Sequence, residues 1–379
     1  MVKRNNKMSK SVVILNYGLH LCGVSRALIN LANCLVSDGY DVTIRLYSRN
    51  FQLSSELDSR VKCTPFIGGK FGKYIPDMVY GKILQIIECL STAMQYRLIV
   101  WKKFDIEIAF NRGKAAELIS NSINAQAKKF VFVHTDYMRN TNALAGFADE
   151  LAAYEAYQRF DAVICVSEQA RLSFIERIGD TKNLITKYNI IDDYLVKKKS
   201  REIQIGKKNF TVLSVGSICD AKNYFLLIDV AEEMQHRKIP CEFWIVGDGN
   251  LKEELLQYIE KKNVKNVILH GMQTNPYPYF EASDLYMCTS KYEGLSTSVI
   301  EALMIGRPII ATECVGMRDI LGADNEFGRI VEFDEIKLAD ELVKMIEDKD
   351  YYRNYREKAY MRGKHFAKDN TYVEIRKLM

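Results

Sequence analysis

The sequence predicts an α/β protein with two domains, each built around a parallel sheet. Short apolar runs alternate with loops and helical stretches along most of the chain, which is the order that parallel strands joined by crossover helices require. A polar and basic run at residues 197–208 interrupts this alternation, as a boundary between domains does. The length of 379 residues is sufficient for two domains of ordinary size.

The first half opens as a β–α–β unit. A buried-strand run at residues 11–15 is followed by a loop at 16–23 and by helical apolar spacing at 24–36. Further strands are predicted at residues 41–46, 105–110, 129–133 and 162–166.

The second half repeats the same plan. Strands are predicted at residues 210–215, 241–247, 267–271, 284–288, 307–312 and 328–331. Helices are predicted to end at Met234, to cover 299–304 before Gly306 and Pro308, and to cover 335–348 and 351–366.

The stretch 290–301 predicts an anion site. It joins a buried strand to the N-terminus of a helix, at the end of the strand where open α/β sheets bind ligands. Gly294 lets another group approach the backbone closely. The amides of Leu295, Ser296 and Thr297 would then face an anion with the positive end of the helix dipole, an arrangement suited to a diphosphate.

Two carboxylates flank this loop. Glu293 is expected on the loop, beside whatever the helix dipole holds, and Glu301 on the first turns of the helix. A carboxylate in the position of Glu301 can accept two hydrogen bonds from a vicinal diol. However, Ser298 and Glu301 also have the spacing of a capping box, so an ordinary helix start is the alternative.

Glu-Gly-Leu-Ser followed by Glu-Ala, with seven residues between the two glutamates, resembles the Glu-x7-Glu motif of family 4 retaining glycosyltransferases. The resemblance implies the GT-B fold, two Rossmann-like parallel-sheet domains facing a cleft, with a C-terminal helix crossing back to the first domain. It also implies that Glu301 binds the donor ribose, that Glu293 acts catalytically near the donor sugar, and that residues 294–297 hold the pyrophosphate.

Other positions match the family less closely. The resemblance implies that Gly23, in the first loop, approaches the donor phosphate or the acceptor. It implies that Met272 and Gln273 contact the nucleotide base. His134 follows a strand directly, where the family often has a histidine that meets the donor sugar. A structural histidine is the alternative for His134.

The loop after the strand at 210–215 departs from the family pattern, which reads Gly-Arg and then Lys-Asn or Lys-Gly. Lys222 matches the lysine that neutralises the leaving diphosphate, but Ser217 stands where the arginine belongs. Lys222 and the helix dipole would have to suffice, or Arg26 or Arg318 would substitute, or activity would be low. A solvent-facing lysine is the alternative for Lys222.

The domains follow from the boundary run and the resemblance together. We expect an acceptor-binding domain at 1–195, a basic linker at 196–208, a donor-binding domain at 209–360 and a returning helix at 361–379.

Residues 62–104 combine a broad apolar face with an excess of basic residues. The basic residues are Lys62, Lys70, Lys73, Lys82, Arg97, Lys102 and Lys103. One interpretation is peripheral contact with anionic lipid. The other is a helical layer that covers one face of the first sheet, with its lysines in water.

Composition excludes several classes of protein. The net charge is +5 without a dense basic stripe, so nucleic acid is not an expected partner. The nine cysteines form no Cys-x-x-Cys pair and no His-Glu-x-x-His occurs, so we expect neither a metal nor another cofactor. Residues 1–10 lack the apolar core of a signal peptide, and no apolar run has 18 residues, which favours the cytoplasm, including the inner face of the cell membrane.

The resemblance implies a retaining glycosyltransferase. Its expected substrates are a nucleotide-sugar donor, most often a UDP-sugar in this family, and a cell-surface polysaccharide or lipid-linked glycan acceptor. A nucleotide-sugar epimerase or hydrolase, or a non-catalytic GT-B partner of another transferase, remain alternatives. The absence of Gly-x-Gly-x-x-Gly disfavours an NAD dehydrogenase.

Overall fold

The computed structural model describes residues 9–68, 72 and 74–379. The expectations for residues 1–8, and for Lys70 and Lys73, lie outside the described residues. The chain divides into two compact units. Unit 1 contains the described residues up to Val166, with Arg171–Lys187 and Glu374–Met379, and unit 2 contains Ser167–Ala170 and Tyr188–Val373.

Unit 1 is built on a seven-stranded parallel sheet with the order β3-β2-β1-β4-β5-β6-β7. Its strands are β1 (Ser11–Asn16), β2 (Asp41–Leu46), β3 (Lys62–Pro65), β4 (Ile106–Ala109), β5 (Lys128–Val133), β6 (Ala162–Cys165) and β7 (Leu184–Thr186). Its helices are α1 (Gly23–Ser37), α2 (Asp77–Glu88), α3 (Thr92–Val100), α4 (Lys114–Ser120) and α5 (Glu150–Tyr157), with a 3-10 turn at Ser54–Glu56.

Unit 2 is built on a six-stranded parallel sheet with the order β10-β9-β8-β11-β12-β13. Its strands are β8 (Phe210–Val215), β9 (Cys241–Val246), β10 (Val267–Gly271), β11 (Leu285–Cys288), β12 (Ile309–Thr312) and β13 (Arg329–Val331). Its helices are α7 (Asp193–Ser200), α8 (Tyr224–His236), α9 (Lys252–Lys261), α10 (Tyr277–Ala282), α11 (Thr297–Ile305), α12 (Met317–Leu321), α13 (Glu335–Glu347) and α14 (Lys349–His365), with a 3-10 turn at Asp220–Lys222.

Two further helices run through residues of both units, α6 (Glu168–Ile178) and α15 (Lys368–Arg376). The central strands read as continuous apolar runs because helices cover both faces of a parallel sheet. In unit 1 the side chains of Val12, Val13, Ile14 and Leu15 are fully buried. In unit 2, α8 and α13 pack together in a core with β8 and β9. The predicted fold class, two Rossmann-like parallel-sheet domains, is confirmed.

The sequence missed the strands at the two edges of the first sheet. β3 begins with an exposed lysine and ends with a proline, and β7 has three half-buried residues. Neither strand is buried on both faces, so neither produces the continuous apolar run that identified the central strands.

The structure also differs around the expected linker and terminal helix. Residues 197–200 lie in α7, whose first turn is capped by Asp192, and the two units divide at Lys187 and Tyr188. The expected helix at 361–379 is interrupted, because Ala367 forms a parallel bridge with Ile191 between α14 and α15. Residues 374–379 belong to unit 1.

Candidate functional site

The candidate site lies in unit 2 at the carboxyl ends of β8 and β11. These two strands are neighbours in the sheet, but β9 and β10 extend it on one side and β12 and β13 on the other. The loops that follow β8 and β11 therefore diverge. Ligands of open parallel sheets bind at such a switch point, in the crevice that diverging loops leave. The loop after β8 carries Lys222, and the loop after β11 carries Glu293.

The local backbone directs Lys222 back over the end of β8. The 3-10 turn Asp220–Lys222 ends at Asn223, which has a φ of 50° and leads into α8. Gly216 leaves room for the lysine, because a Cβ at residue 216 would lie 2.9 Å from Lys222 Cε. Lys222 therefore packs against its own loop, so the solvent-facing alternative does not describe it.

Lys222 and Glu293 form an ion pair, with 2.5 Å between Nζ and Oε1. Their side chains are 21% and 15% exposed, so water screens the pair weakly. Burial lowers the pKa of Lys222, but the attraction of Glu293, with smaller contributions from Cys288 and nearby tyrosines, outweighs it and raises the pKa well above its ordinary value. Lys222 is therefore a fixed positive charge at neutral pH.

Further hydrogen bonds join the two loops. Thr289 Oγ1 donates to the carbonyl of Lys222 at 3.1 Å, and the amide of Lys291 donates to the carbonyl of Ala221 at 2.8 Å. Together with the ion pair, which joins residues 71 positions apart in the sequence, these bonds connect the two loops. The two loops therefore form one preorganised surface.

Helix α11 begins at Thr297, with Ser296 as its N-cap residue and no side-chain capping bond. The capping-box alternative is wrong, because Ser298 already lies inside the helix, where its Oγ accepts a hydrogen bond from Tyr286 Oη at 2.8 Å. Within the described residues, the amides of Leu295, Ser296 and Thr297 have no hydrogen-bond acceptor. Free amide donors at the positive end of a helix dipole are a feature that anion sites in other proteins share. The helix ends as predicted, with Gly306 in the left-handed region.

Gly294 is buried against other parts of unit 2. Its carbonyl accepts a hydrogen bond from Ser167 Oγ at 2.6 Å. Gly316, with a φ of 87°, passes so close that a Cβ there would lie 2.7 Å from the Gly294 oxygen. The close approach predicted at Gly294 is thus made, on its carbonyl side, by protein groups. Leu295 and Ser296 are also buried, and Thr297 is partly exposed.

Glu301 lies on α11 and is buried. One of its oxygens accepts a hydrogen bond from Tyr277 Oη at 3.1 Å. Tyr277 opens α10, and the loop before α10 contains Met272, which is exposed, and Gln273, whose side chain donates to the carbonyl of His270 at 2.8 Å. Glu301, the residue predicted to bind the ribose, is therefore hydrogen-bonded to α10, the helix that follows the loop predicted to bind the base.

Two of these contacts were missed by the sequence analysis. Ser290 Oγ donates to Glu293 Oε1 at 2.9 Å, and Tyr277 donates to Glu301. Ser290 lies three residues before Glu293 in the same loop, so its spacing was an available signal. Tyr277 precedes Glu301 by a helix, a strand and a loop, and no local pattern connects the two.

Ser217 is exposed and has no hydrogen-bond partner within the described residues. An exposed serine thus occupies the position in the loop at which the family pattern has an arginine. Arg318, one of the expected substitutes, donates from Nε to Glu313 Oε1 at 2.8 Å. Arg26, the other, lies on α1 in unit 1. In unit 2 the charge that faces Glu293 comes from Lys222.

His134 lies in unit 1, directly after β5. Its ring stacks on Phe132 and packs against Phe110, with 5.9 Å and 4.8 Å between ring centres. Both ring nitrogens are buried, and in the part of the chain that the structure describes neither has a partner in hydrogen-bonding geometry. Burial lowers the pKa of His134 to about 3, against a smaller opposite effect of the Phe110 carbonyl, so the ring is neutral at pH 7. Gly23 is the first residue of α1.

Helices α2 and α3 leave apolar side chains exposed in unit 1. α3 buries Tyr96 and Ile99, whereas α2 is mostly exposed and buries Tyr80. Ile86 is 66% exposed and Leu98 is 53% exposed. The α2–α3 surface consists of Met78, Val79, Ile86, Met94, Leu98 and Trp101, with Lys82, Arg97 and Lys103 among them. α3 thus covers part of unit 1, but the apolar face remains only partly buried.

Within residues 9–68, 72 and 74–379, no three side chains of His, Cys, Asp or Glu are grouped as a metal ion would require. In the same described part of the chain, every helix is too short or too polar to cross a membrane.

Comparison with known proteins finds a match to one family model and similarity to several glycosyltransferases. Residues 196–362, most of unit 2, match the model of the family described as glycosyl transferases group 1. The chain is 35% identical over 184 residues to the N-acetylgalactosamine-N,N'-diacetylbacillosaminyl-diphospho-undecaprenol 4-alpha-N-acetylgalactosaminyltransferase of Campylobacter jejuni, which covers 48% of this chain and 49% of that protein. It is 28% identical over 256 residues to the poly(ribitol-phosphate) alpha-N-acetylglucosaminyltransferase of Staphylococcus aureus, which covers 66% of this chain and 50% of that protein.

The chain thus spans about half the length of these two curated relatives. Among solved structures, it resembles Anabaena Alr3699/HepE in complex with UDP and glucose. The TM-score is 0.75 at 17% identity, over 97% of this chain and 98% of that one. At this identity the likeness shows a shared fold.

Proposed function

We propose that the chain transfers a sugar from a nucleotide-sugar donor to a glycan acceptor, because residues 196–362 match the model of the glycosyl transferases group 1. The ion pair of Lys222 and Glu293, beside the N-terminus of α11 at the switch point of the second sheet, carries the proposal. The pair supports the proposal because positive charge beside a helix N-terminus can bind a diphosphate, and a neighbouring carboxylate can accept a hydrogen bond from a sugar hydroxyl.

The chemistry assigned to unit 2 is stabilisation of a leaving nucleoside diphosphate. As the bond between the sugar C1 and the diphosphate oxygen breaks, its electron pair passes to that oxygen. Lys222 and the amides at the start of α11 are charges and dipoles already in place to stabilise the developing negative charge. The acceptor oxygen forms the new bond to C1, and its proton passes to the departing phosphate.

We assign retention of the anomeric configuration on the resemblance of residues 293–301 to the Glu-x7-Glu motif. In this proposal the acceptor attacks from the face that the diphosphate leaves. Glu301 binds the ribose, Glu293 contacts the donor sugar, Met272 and Gln273 meet the base, and residues 294–297 hold the pyrophosphate. His134 and Gly23 are assigned to the donor sugar and to the phosphate or acceptor.

A UDP-sugar is the proposed donor, since the structurally similar Anabaena protein binds UDP. A surface polysaccharide or lipid-linked glycan is the proposed acceptor. The names of the two relatives support it, one acting on a diphospho-undecaprenol-linked sugar and the other on poly(ribitol-phosphate). We further propose that the α2–α3 surface rests on anionic lipid, because it combines exposed apolar side chains with Lys82, Arg97 and Lys103.

Nucleotide binding tests the proposal directly. A thermal-shift panel of nucleoside diphosphates and nucleotide sugars should show stabilisation by UDP and by one UDP-sugar, since a ligand that binds only the native state raises Tm. Glu301→Gln removes a charge that accepts bonds from a ribose diol, so UDP affinity should fall by about 10- to 100-fold.

Glu341→Gln is the matched control. Glu341 is also a shielded helix carboxylate of unit 2 that accepts a bond from a tyrosine, Tyr351 Oη, at 2.6 Å. Equal losses of UDP affinity in the two variants would contradict a ribose role for Glu301. Donor incubated without acceptor distinguishes the alternatives. Formation of an epimerised sugar in the absence of acceptor would contradict the proposed transfer. If the donor is not consumed in the presence of glycan acceptors, the alternative of a non-catalytic partner protein is favoured.

A further inference from the structure

The carboxylate of Glu293 is held at one of its two oxygens. Lys222 Nζ and Ser290 Oγ both donate to Oε1, at 2.5 Å and 2.9 Å. Within the described residues, Oε2 has no hydrogen-bond partner. Because 15% of the Glu293 side chain remains exposed, and Oε2 is not among the buried polar atoms that lack a partner, this second oxygen is open to a ligand.

Ser290 is itself fixed in position. Its side chain is 1% exposed, and its carbonyl accepts a hydrogen bond from Thr312 Oγ1 at 2.8 Å. Its Oγ also lies 3.3 Å from Cys288 Sγ. The serine hydroxyl has one proton, which it donates to Glu293, so the thiol of Cys288 is the donor to Ser290. Burial raises the pKa of Cys288, which keeps that thiol protonated.

The result is a directional chain of hydrogen bonds from Cys288 through Ser290 to Glu293. Such chains orient the final acceptor and are strengthened by a low local dielectric. The two donors on Oε1 differ in what a ligand would do to them. A diphosphate would draw Lys222 toward itself, whereas Ser290 is buried and stays with Glu293.

We propose that Ser290 is a positioning residue, which keeps one oxygen of Glu293 turned to the protein and leaves the other to accept a hydrogen bond from a hydroxyl of the donor sugar. This role rests on the proposed function. It separates two tasks within one loop, because Lys222 and the helix amides hold the diphosphate while Ser290 sets the carboxylate that meets the sugar. Loss of Ser290 should therefore affect turnover more than nucleotide affinity.

The test compares Ser290→Ala with Ser283→Ala. Ser283 is a fully buried serine of the same unit, just before β11, whose Oγ donates to the Phe280 carbonyl at 3.0 Å. We expect Ser290→Ala to lower kcat with the UDP-sugar by about 10-fold, the effect of one hydrogen bond to a charged group. The Kd for UDP should change less than about 2-fold. Ser283→Ala should leave kcat and that Kd unchanged.

A double-mutant cycle with Glu293→Ala separates positioning from general support of the loop. If Ser290 acts through Glu293, Ser290→Ala should lower kcat no further in a protein that already carries Glu293→Ala. The single variant Ser290→Thr, which keeps a hydroxyl, should retain most of the wild-type kcat. Additive losses, or a Ser290→Ala variant with full kcat, would overturn the role. A wild-type protein that binds none of the nucleoside diphosphates and nucleotide sugars of the panel would reject the proposed function, and with it this role. A wild-type protein that binds and transfers, with additive losses, would reject the role of Ser290 alone.

Discussion

The loops at the carboxyl edges of the two sheets are built from different chemistry. In unit 2, an ion pair, Lys222 with Glu293, and hydrogen bonds from Ser290 and Thr289 join the loops after β8 and β11. In unit 1, the residue after β5 is His134, a neutral ring that packs against Phe110 and Phe132, and within the described residues its nitrogens have no partner in hydrogen-bonding geometry. In unit 2, charges and hydrogen bonds thus hold the two loops together, whereas in unit 1 apolar ring contacts hold the residue after β5.

The exposed surfaces differ in the same way. The α2–α3 surface of unit 1 leaves Ile86 and Leu98 in solvent, with Lys82 and Arg97 beside them. In unit 2, the helix α9 buries Leu255 and directs Lys262 into ion pairs with acidic residues. The two surfaces thus differ in chemistry, because the lysine at the end of α9 is ion-paired whereas the α2–α3 surface leaves apolar side chains beside basic ones in solvent.

The largest expected effect tests the charged edge of unit 2. Lys222→Ala should lower kcat by about 100- to 1,000-fold, the usual loss when one preorganised charge or donor for a leaving group is removed. Lys262→Ala is the control, since Lys262 is similarly exposed and bonds Asp229 and Glu232 at 2.7 Å. Steady-state kinetics with Tm measured for each variant would decide. A comparable loss of kcat in Lys262→Ala would mean that the effect is structural.

A smaller effect is expected at the α2–α3 surface. Replacing Lys82 and Arg97 by glutamine should weaken binding to vesicles with anionic lipid by about 30-fold, from about 1 kcal/mol for each of the two charges near the surface. The difference should shrink in high salt, because salt screens charges in water. Co-sedimentation with anionic and with neutral vesicles would measure both.

Lys261→Gln with Lys265→Gln makes the same change of charge on exposed residues of unit 2. If that pair of changes weakened vesicle binding as much, net charge alone would explain it. No binding of the wild-type protein to anionic vesicles would reject membrane contact at this surface.

The buried histidine His134 should make the stability of the protein depend on pH. The folded-state pKa of about 3 lies below the ordinary value of 6.5, so protonation favours the unfolded state. The contribution of neutral His134 to the free energy of unfolding is fully present above about pH 6.5. It is lost as the pH falls from about 6.5 toward 3, by at most about 1.4 kcal/mol per pH unit. His134→Phe removes this dependence.

Denaturant unfolding of the wild type and His134→Phe between pH 7 and pH 4 measures the difference in slope. His236→Phe is the control, because His236 is exposed at the end of α8. Equal slopes for the wild type and His134→Phe would show that the buried ring does not resist protonation.

The central strands and the loop at 290–301 could be recognised from the sequence for local reasons. Strands covered on both faces consist of consecutive apolar residues, and the end of α11 is marked by Gly306. The edge strands β3 and β7 lack that burial and were missed. The capping-box pattern at Ser298 does not form a cap in the structure, because Ser298 lies inside α11 and its hydroxyl accepts a hydrogen bond from Tyr286.

The sequence by itself determined the two parallel-sheet domains and the positions of Lys222, Glu293 and Glu301 at strand ends and a helix start, because these depend on patterns within a few residues. Only the tertiary structure decided that Lys222 pairs with Glu293, that Ser290 shares the same oxygen, and that Tyr277 binds Glu301. Those contacts join segments whose distance along the chain is unrelated to their distance in space. The order of strands in the sheet sets the distance in space, because it makes β8 and β11 neighbours at the switch point.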